Sequence, residues 1–324
     1  MKEKIFNITS GKEFRVLASD IFRYQAQEND VYREFAFHMK INPLKVTAVE
    51  DIPFLPVEFF KRRRVITGKD DVGHCFVSSS TTGSTPSKHY VADIGLYEKS
   101  FLSCFRKFYG PPDDYCILAL LPGYLERKDS SLVYMVNSMI EKGGHSDSGF
   151  YLGDHNSLRN KLLKLEKAGQ KTILIGVAFA LMDFALKHKL ELKHTVVMET
   201  GGMKGRRKEI VKEELHQILQ ERLGVEAIHS EYGMTELLSQ AYSKGNNCFH
   251  CPPWMKVMIR DIYDPMSYVA TGRIGGINVV DLANLYSCSF VETQDLGRIN
   301  SDGSFEVLGR FDHSDVRGCN LMAV

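Results

Sequence analysis

The chain has 324 residues, of which 44% are hydrophobic and 25% are charged. This is the composition of an ordinary globular protein, long enough for one large domain or two modest ones. The formal net charge is only +1, from 41 basic and 40 acidic side chains. No overall field therefore attracts nucleic acid or an anionic membrane, and we expect the function to depend on local sites.

The sequence indicates a cytoplasmic protein without a membrane span. It starts MKEKIFNITSGKEF, which lacks the apolar segment of a signal peptide. The longest apolar run, residues 173–182, is about half of the roughly 20 residues that a membrane-spanning helix needs. The seven cysteines are scattered and odd in number, which is typical of a reducing compartment.

The N-terminal part of the chain has a helical pattern. Apolar residues recur at helical spacing between residues 14 and 39, which predicts helices there. Two prolines in DIPFLPVEFF, residues 51–60, then interrupt regular structure. We expect residues 1–73 to form a helical region that packs on the main body.

From residue 74 onward, short β-type runs alternate with longer segments that can be helices. The predicted strands are HCFVSS (74–79), DYCILAL (114–120), KTILIGV (171–177), HTVVME (194–199) and VEAIHS (225–230). The predicted helices are residues 93–109, 130–142, 155–168, 177–188 and 206–222. This alternation predicts a parallel sheet with helices on its faces, and we assign residues 74–254 to this α/β core.

The helical pattern fades after residue 255. GGINVVDL, GRINSDG and SFEVLGR look like antiparallel strands, and Asp302 with Gly303 predicts a hairpin turn. We expect residues 255–310 to form a β-rich subdomain and residues 311–324 to form a short tail that carries Cys319.

A row of small hydroxyl side chains, SSSTTGSTPSK at residues 78–88, follows the first predicted strand of the core. Between a strand and an expected helix, such a hydroxyl row offers N–H groups and hydroxyls to a phosphate. It is not a Walker A loop, because Gly83 has no second glycine before Lys88, and it lacks the G-x-S-x-G of a nucleophile elbow. On composition alone, a flexible surface loop without a ligand stays open.

Three further segments follow the hydroxyl row: HSEYGMTE at 229–236, ETQDLGRI at 292–299 and GRFDHSDVRG at 309–318. In this order and at these separations, the four segments resemble the adenylate-forming enzymes. METGGMKGRRKEI, PPWMKVMIRDIYDP and the ending RGCNL bring the chain closest to the LuxE-type acyl-protein synthetases, a branch near the phenylacetate-CoA ligases. The resemblance covers most of residues 50–324. It implies the large N-terminal domain of adenylate-forming enzymes, with parallel-sheet α/β subdomains, a smaller β-rich part that completes the adenylate site, and no usual C-terminal lid domain.

The resemblance implies roles in phosphate binding for the hydroxyl row. Ser79, Thr81, Thr82, Gly83 and Lys88 would surround the leaving pyrophosphate of ATP, where preorganised donors stabilise developing charge. The alternative for Lys88 is a solvated surface lysine.

The resemblance also assigns roles within EYGMTE. Tyr232 would stack on adenine, and Gly233 would allow the backbone to approach the nucleotide closely. Thr235 would hydrogen-bond the α-phosphate, and Glu236 would bind Mg²⁺, a hard cation that prefers carboxylate oxygen. The alternative is a strand-to-helix turn with a capping threonine and a solvated glutamate.

Four more residues complete the implied nucleotide site. Gly201 and Gly202 would form a tight turn beside the nucleotide, and the alternative is a plain βα turn. Asp295 would accept hydrogen bonds from the ribose hydroxyls, and Arg310 would approach the ribose or a phosphate. The assignments of Asp295 and Arg310 depend on the resemblance alone.

The C-terminal tail departs from the family pattern. Most adenylate-forming enzymes carry a small domain with a catalytic lysine after the Gly-Arg-x-Asp motif, and no lysine follows Gly309 here. We expect Lys88, Lys204 or Arg310 to replace that lysine, or a partner protein to supply the lid, or the adenylation step to be slow.

Cys319 is the implied acyl carrier of the tail. A thiolate is strongly nucleophilic towards a mixed anhydride such as acyl-AMP, and Arg317 can lower the pKa of the thiol. Gly318 and the free chain end would let Cys319 move between the pocket and an acceptor. An incidental thiol near a frayed terminus is the alternative.

The implied activity is ATP- and Mg²⁺-dependent conversion of a carboxylic acid, expected to be a fatty acid, to acyl-AMP. The acyl group would then pass to Cys319 and on to a partner protein such as a reductase or a carrier. Two alternatives stay open: a ligase that uses coenzyme A or an acyl-carrier protein, and a non-catalytic nucleotide- or acyl-binding regulator. Cys248 and Cys251, with His250 between them, have no second pair at metal-ligand spacing, and inert cysteines are the alternative to a zinc site there.

Overall fold

A twelve-stranded mixed sheet forms the centre of the computed structural model, which describes residues 1–68, 72–79, 85–121, 129–201 and 211–311. The helices of these residues are α1 (Lys2–Ile5), α2 (Gly11–Glu28), α3 (Asp30–His38), α4 (Phe59–Arg62), α5 (Ile94–Tyr109), α6 (Ser131–Gly143), α7 (His155–Lys167), α8 (Ala178–Lys187) and α9 (Lys212–Leu223). None of these helices has both the length and the apolar character needed to cross a bilayer.

The strands alternate with these helices as far as α9 and then follow one another directly. Strands of the first part are β1 (Leu55–Pro56), β2 (His74–Val77), β3 (Lys88–Val91), β4 (Cys116–Leu120), β5 (Gly149–Phe150), β6 (Thr172–Val177), β7 (Thr195–Thr200) and β8 (Ile228–Tyr232). Strands of the second part are β9 (Ala241–Ser243), β10 (Phe249–His250), β11 (Met255–Arg260), β12 (Gly275–Asp281), β13 (Phe290–Ile299) and β14 (Phe305–Arg310).

The N-terminal helices are packed against the second part of the sheet. Asn29 ends α2, and its side chain caps α3 by accepting a hydrogen bond from the N–H of Tyr32. The ring of Phe22 meets Phe290 of β13 edge to face at 6.0 Å. Gln25, which is fully buried, donates to the carbonyl oxygens of two residues after β12. Helices were predicted here, and the apolar positions of α2 face this contact.

The parallel part of the sheet has the order β8-β7-β6-β4-β5. Its strands β4 and β6 are almost continuously apolar and buried, because helices cover both faces of a parallel sheet. Leucines of α7, α8 and α9 pack on one face, and α5 and α6 pack on the other. The predicted parallel α/β sheet is confirmed, and α5, α6, α7 and α8 begin within one residue of the predicted positions.

The antiparallel part continues the same sheet through β9, β10, β14, β13, β12 and β11. β13 and β14 pair from Asp295 with Arg310 to Ile299 with Phe305. The turn between them contains Gly303, whose φ of 83° lies in the left-handed region that glycine adopts easily. The predicted hairpin at Asp302 and Gly303 is therefore confirmed, whereas the four region boundaries stay predictions.

The surroundings of the hydroxyl row differ from the expected strand, loop and helix. β2 pairs antiparallel with β3 in a separate two-stranded sheet, and α5 begins only at Ile94, where Asp93 caps it. The residues after Lys88 alternate between inward and outward positions, with His89 and Val91 buried, which is the period of a strand. The prediction of a helix directly after the row was wrong, so no helix N-terminus immediately follows it.

Candidate active site

Two chain segments leave the carboxyl edge of the parallel sheet side by side. We use the name β7 loop for Gly201, the first residue after β7, and the name β8 turn for residues 233–240 between β8 and β9. β7 and β8 are hydrogen-bonded neighbours, with Thr200 opposite Glu231. Gly201 has a φ of 71°, which favours glycine at this position. Ligands of open α/β sheets bind at this kind of edge.

Tyr232 is the last residue of β8, directly before the β8 turn, and it contacts Asp295 across the sheet. Its ring packs edge to face against Phe249 and Phe305, with centroid distances of 5.9 and 5.5 Å. Its hydroxyl donates to Oδ2 of Asp295 at 2.9 Å. Burial, with Asp295 adding to it, raises the pKa of Tyr232 well above its usual value, so the hydroxyl keeps its proton and remains a donor. Two residues that are 63 positions apart in the sequence are thus brought into contact.

Asp295 is also paired with Arg310, its cross-strand neighbour on β14. Nε of Arg310 lies 3.2 Å from Oδ1 of Asp295. The aspartate side chain is only 11% exposed, whereas that of Arg310 is 54% exposed. The pair therefore presents a cation to solvent and a carboxylate just below it, next to Tyr232.

The β8 turn is fixed by a buried carboxylate at the end of β12. Asp281 accepts hydrogen bonds from the N–H groups of Leu238 and Ser239 at 2.7 and 2.9 Å, and from the hydroxyl of Ser239. Its other oxygen also accepts from the N–H of Ala283. These bonds hold a segment that has no regular secondary structure, and so they position Thr235 and Glu236, which precede Leu238.

His89 joins the β2–β3 hairpin to the β8 turn. Its Nδ1 lies 2.7 Å from the carbonyl oxygen of Thr235, and its Nε2 lies 3.0 Å from Oδ1 of Asn284. The orientation of Asn284 is set because its Nδ2 donates to the carbonyl oxygens of Glu236 and Cys288. The carbonyl oxygen of Thr235 and Oδ1 of Asn284 are both acceptors, and they raise the pKa of His89 because they favour the doubly protonated ring. Burial has the larger effect and lowers the pKa of His89 to about 4.

Sequence analysis did not identify His89, Asn284 or Asp281. His89 is separated from Thr235 by 146 positions and from Asn284 by 195, so no local spacing could indicate these contacts. The adjacency of His89 to Lys88 was the only available signal.

The predicted phosphate-binding residues are only partly described. Ser79 is exposed after β2, and Thr81, Thr82 and Gly83 lie outside the described residues. Lys88 is exposed at the start of β3, and successive strand residues point to opposite faces. Its side chain therefore points away from His89 and towards the face that carries Cys75, so the structure does not bring it to the carbonyl of Thr235.

The remaining predicted residues fall into three groups: residues outside the described ranges, the predicted Mg²⁺ ligand Glu236, and the cysteines of the zinc alternative. Gly202 and Cys319 lie outside the described residues, as do Lys204, Arg317 and Gly318. Glu236 is 5% exposed, and its carboxylate has the oxygen chemistry that Mg²⁺ prefers. Among the described residues, no group of three or more His, Cys, Asp or Glu side chains is placed to hold a metal ion. Burial raises the pKa of Cys251 to about 12, which opposes the thiolate that zinc binds.

Comparison with solved structures identifies the class of fold. ATP-bound MatB from Rhodopseudomonas palustris superimposes with a TM-score of 0.57 at 20% identity, over 75% of this chain and 49% of that chain. 2-Hydroxyisobutyryl-CoA ligase in the postadenylation state, in complex with 2-HIB-AMP, gives 0.70 at 12% identity, over 93% and 68%. The same ligase with 2-HIB-AMP and CoA gives 0.68 at 12% identity, over 96% and 71%. The fold is that of the large domain of adenylate-forming enzymes, and this chain spans about half the length of MatB.

Within this class, the family is also clear. The model of the family described as acyl-protein synthetase, LuxE, matches residues 4–323, so the chain belongs to that family. The match includes the helical N-terminal region, in which the sequence motifs gave little resemblance. No curated protein matches the sequence significantly.

Proposed function

We propose that this protein uses ATP to convert a carboxylic acid, a fatty acid in the simplest case, to acyl-AMP and transfers the acyl group to a thiol. Membership of the LuxE family supports this proposal. The observation that carries it is the contact of Tyr232, Asp295 and Arg310 at the carboxyl edge of the sheet. A buried carboxylate beside an aromatic ring and an exposed cation suits a nucleoside phosphate, which has an aromatic base, sugar hydroxyls and negative charge.

In this proposal, the nucleotide lies against the β7 loop and the β8 turn. The base stacks at Tyr232, and the glycines Gly201, Gly202 and Gly233 would allow the chain to approach it closely. The ribose hydroxyls donate to Asp295, whose oxygens can each accept a further hydrogen bond. Arg310 is exposed enough to reach the ribose or a phosphate.

The phosphates are proposed to lie between the β8 turn and the hydroxyl row. The hydroxyl of Thr235 donates to the α-phosphate, and the carboxylate of Glu236 would hold Mg²⁺, which would supply positive charge to the phosphates. The donors of the hydroxyl row, Ser79, Thr81, Thr82 and Gly83, surround the leaving pyrophosphate together with Lys88. Either Lys88, Lys204 or Arg310 supplies the cation that a lid lysine gives in related enzymes, or a partner protein does.

The second step of the proposal is acyl transfer to Cys319. The thiolate attacks the acyl carbonyl carbon of acyl-AMP, a C–S bond forms, and the bond from the carbonyl carbon to the phosphate oxygen breaks. AMP leaves with that electron pair, and the thiol proton goes to solvent. The thioester then passes the acyl group to a partner protein, a reductase or a carrier, in the cytoplasm, a location that the scattered free cysteines favour.

The test is covalent labelling of the purified full chain with ATP, Mg²⁺ and radiolabelled fatty acids. We expect label in a hydroxylamine-sensitive bond, no label in Cys319→Ser, and normal label in Cys248→Ser, a matched control at a half-buried cysteine. If Cys319→Ser still forms acyl-CoA or acyl-carrier-protein thioesters, the acceptor assignment is wrong and the protein is a ligase of the same chemistry. If no acid supports pyrophosphate exchange, the protein is a non-catalytic binding protein.

A further inference from the structure

A buried carboxyl group, Glu231, connects the β7 loop with the β8 turn. Glu231 is 7% exposed, and it precedes Tyr232 at the end of β8. The hydroxyl of Thr200, the last residue of β7, donates a hydrogen bond to Oε2 of Glu231. Because Thr200 and Glu231 are opposite each other in the parallel pairing, this bond ties together the two strand ends from which the β7 loop and the β8 turn begin.

The other oxygen of the same carboxyl lies against the β8 turn. A Cβ atom built on Gly233 would clash with Oε1 of Glu231. Since burial and the bond to Thr200 hold the carboxyl in place, only glycine fits at position 233 without a shift. One side chain therefore contacts the start of the β8 turn directly and the β7 loop through Thr200.

We propose that Glu231 is a positioning residue that holds the β7 loop and the β8 turn at the separation required for nucleotide binding, with Thr200 as its partner. This inference rests on the proposed function, because it assigns the nucleotide to these two segments. Glu231 itself does not touch the nucleotide in this proposal. It acts through Gly201 on one side and through Tyr232 and Gly233 on the other.

The protonation of Glu231 should influence this connection. Burial, opposed by the hydrogen bond from Thr200 and assisted by the neighbouring Glu199 of β7, raises the pKa of Glu231 to about 7. Lys212 of α9 pairs with the carboxylate of Glu199 at 2.7 Å, and the ring of His216 lies 3.7 Å from the same oxygen. Four further groups of the described residues interact electrostatically with Glu231, and their raised pKa values keep them neutral at pH 7: Tyr97, Cys104 and Tyr109 of α5 and Tyr242 of β9.

The direction of the pH effect on AMP affinity follows from which residue donates in the hydrogen bond between Thr200 and Glu231. Thr200 donates, and a hydrogen bond to an ionised acceptor is stronger than one to a neutral acceptor. Glu231 loses its proton as the pH rises through about 7. As the pH rises through about 7, the hydrogen bond from Thr200 to Glu231 should therefore become stronger, and the affinity for AMP should rise.

The first experiment measures AMP binding by calorimetry below and above pH 7. We expect Thr200→Val, which loses the hydroxyl at nearly constant volume, to weaken AMP binding by about tenfold, the value of one hydrogen bond of roughly 1.4 kcal/mol. Thr200→Ser keeps the hydroxyl and should rescue most of that loss. Glu231→Gln keeps an acceptor for Thr200 but cannot ionise, so its AMP affinity should be the same on both sides of pH 7.

The second experiment keeps the inference testable if one variant folds poorly. Gly233→Ala places a methyl group against the carboxyl and should weaken AMP binding. In the double variant with Glu231→Ala, the clash is removed, so the combined loss should be smaller than the sum of the two single losses. Additive losses, or an unchanged pH response in Glu231→Gln, would refute the positioning role.

The two levels of the proposal fail differently. If the wild-type protein binds neither AMP nor ATP, the proposed function and this inference are both overturned. If the wild-type protein binds AMP and Thr200→Val binds it equally well, only the inference is overturned, because the nucleotide site then does not need this connection.

Discussion

The parallel and antiparallel parts of the sheet contribute to the candidate site in different ways. The parallel strands β7 and β8 deliver segments that begin where the strands end, and these segments are held by side chains such as Thr200, Glu231 and Asp281. The antiparallel strands β13 and β14 instead deliver Asp295 and Arg310 from within a paired ladder. Residues in a ladder are positioned by its register, whereas residues beyond a strand end need additional anchors.

This difference predicts that anchors of the β8 turn matter most for stability. Asp281 is fully buried and accepts four hydrogen bonds from the turn and its neighbours. Asp281→Ala leaves these buried donors unsatisfied and should lower the free energy of unfolding by about 4 kcal/mol, measured by denaturant titration. Asp302→Ala is the matched control, because Asp302 accepts from Ser304 in an exposed hairpin turn and its loss should cost far less.

Similar losses of unfolding free energy in Asp281→Ala and Asp302→Ala would contradict this comparison between the two parts of the sheet. In that case the β8 turn would be held by its backbone, as the β13–β14 hairpin is, and the distinction between the two parts of the sheet would disappear.

The second anchor, His89, predicts a pH dependence of stability. Burial lowers the pKa of His89 from 6.5 to about 4, so between these values the unfolded chain binds a proton that the native state does not. Stability should therefore fall as the pH falls from about 6.5 to 4, by up to roughly 3 kcal/mol from this residue. Unfolding curves across this range should show a shallower fall in His89→Gln.

Two control variants separate His89 from the other histidines. His229 is half-buried, and burial together with Lys244 lowers its pKa to about 4, so His229→Gln should remove a further share of the pH dependence. His194→Gln, at an exposed position, is the control for the loss of a surface histidine. A slope in His89→Gln as steep as in the wild type would show that the imidazole ring is protonated in the folded protein and that the two facing acceptors outweigh burial.

The sequence predicted the parts of this site that depend on local pattern. The apolar runs of β4 and β6 and the helices between them indicated the parallel sheet, and the EYGMTE motif located Tyr232 at the end of β8. The hydroxyl row was placed correctly after a strand, but the extended residues that follow Lys88 were not recognised as β3. His89, Asn284 and Asp281 could not be predicted, because each anchors a segment that is distant in the sequence, and single polar residues carry no periodicity.

The hydrogen bond between Tyr232 and Asp295, which joins the two parts of the sheet, should contribute less to the free energy of unfolding than Asp281 or His89. Tyr232→Phe keeps the aromatic ring and removes only the hydroxyl that donates to Asp295. We expect a loss of about 1.5 kcal/mol in the free energy of unfolding, and weaker AMP binding, because the carboxylate loses one of the contacts that orient it. Tyr263→Phe is the matched control, since Tyr263 is 86% exposed. Equal behaviour of the two variants would mean that the hydroxyl of Tyr232 does not couple the two parts.

The smallest effect on stability, and the sharpest separation of structure from function, is expected for Arg310. It crosses from β14 to Asp295 of β13, just as Arg298 of β13 crosses to Glu306 of β14 at 2.8 Å. Both arginines are substantially exposed, 54% and 42%, and exposed ion pairs contribute little because solvent screens them. Arg310→Ala should therefore lower the free energy of unfolding by less than about 1 kcal/mol, and Arg298→Ala should have a similarly small effect.

Activity should distinguish these two arginines. Only Arg310 lies beside Asp295 and Tyr232, so Arg310→Ala should raise the KM for ATP in pyrophosphate exchange by roughly tenfold, the value of one charge-assisted hydrogen bond, whereas Arg298→Ala should leave it unchanged. If both variants exchange pyrophosphate like the wild type, Arg310 has only the role of its neighbour on the ladder. The cation that assists the nucleotide must then come from elsewhere, and the register of β13 and β14 would explain the pairing of Asp295 with Arg310 without any ligand.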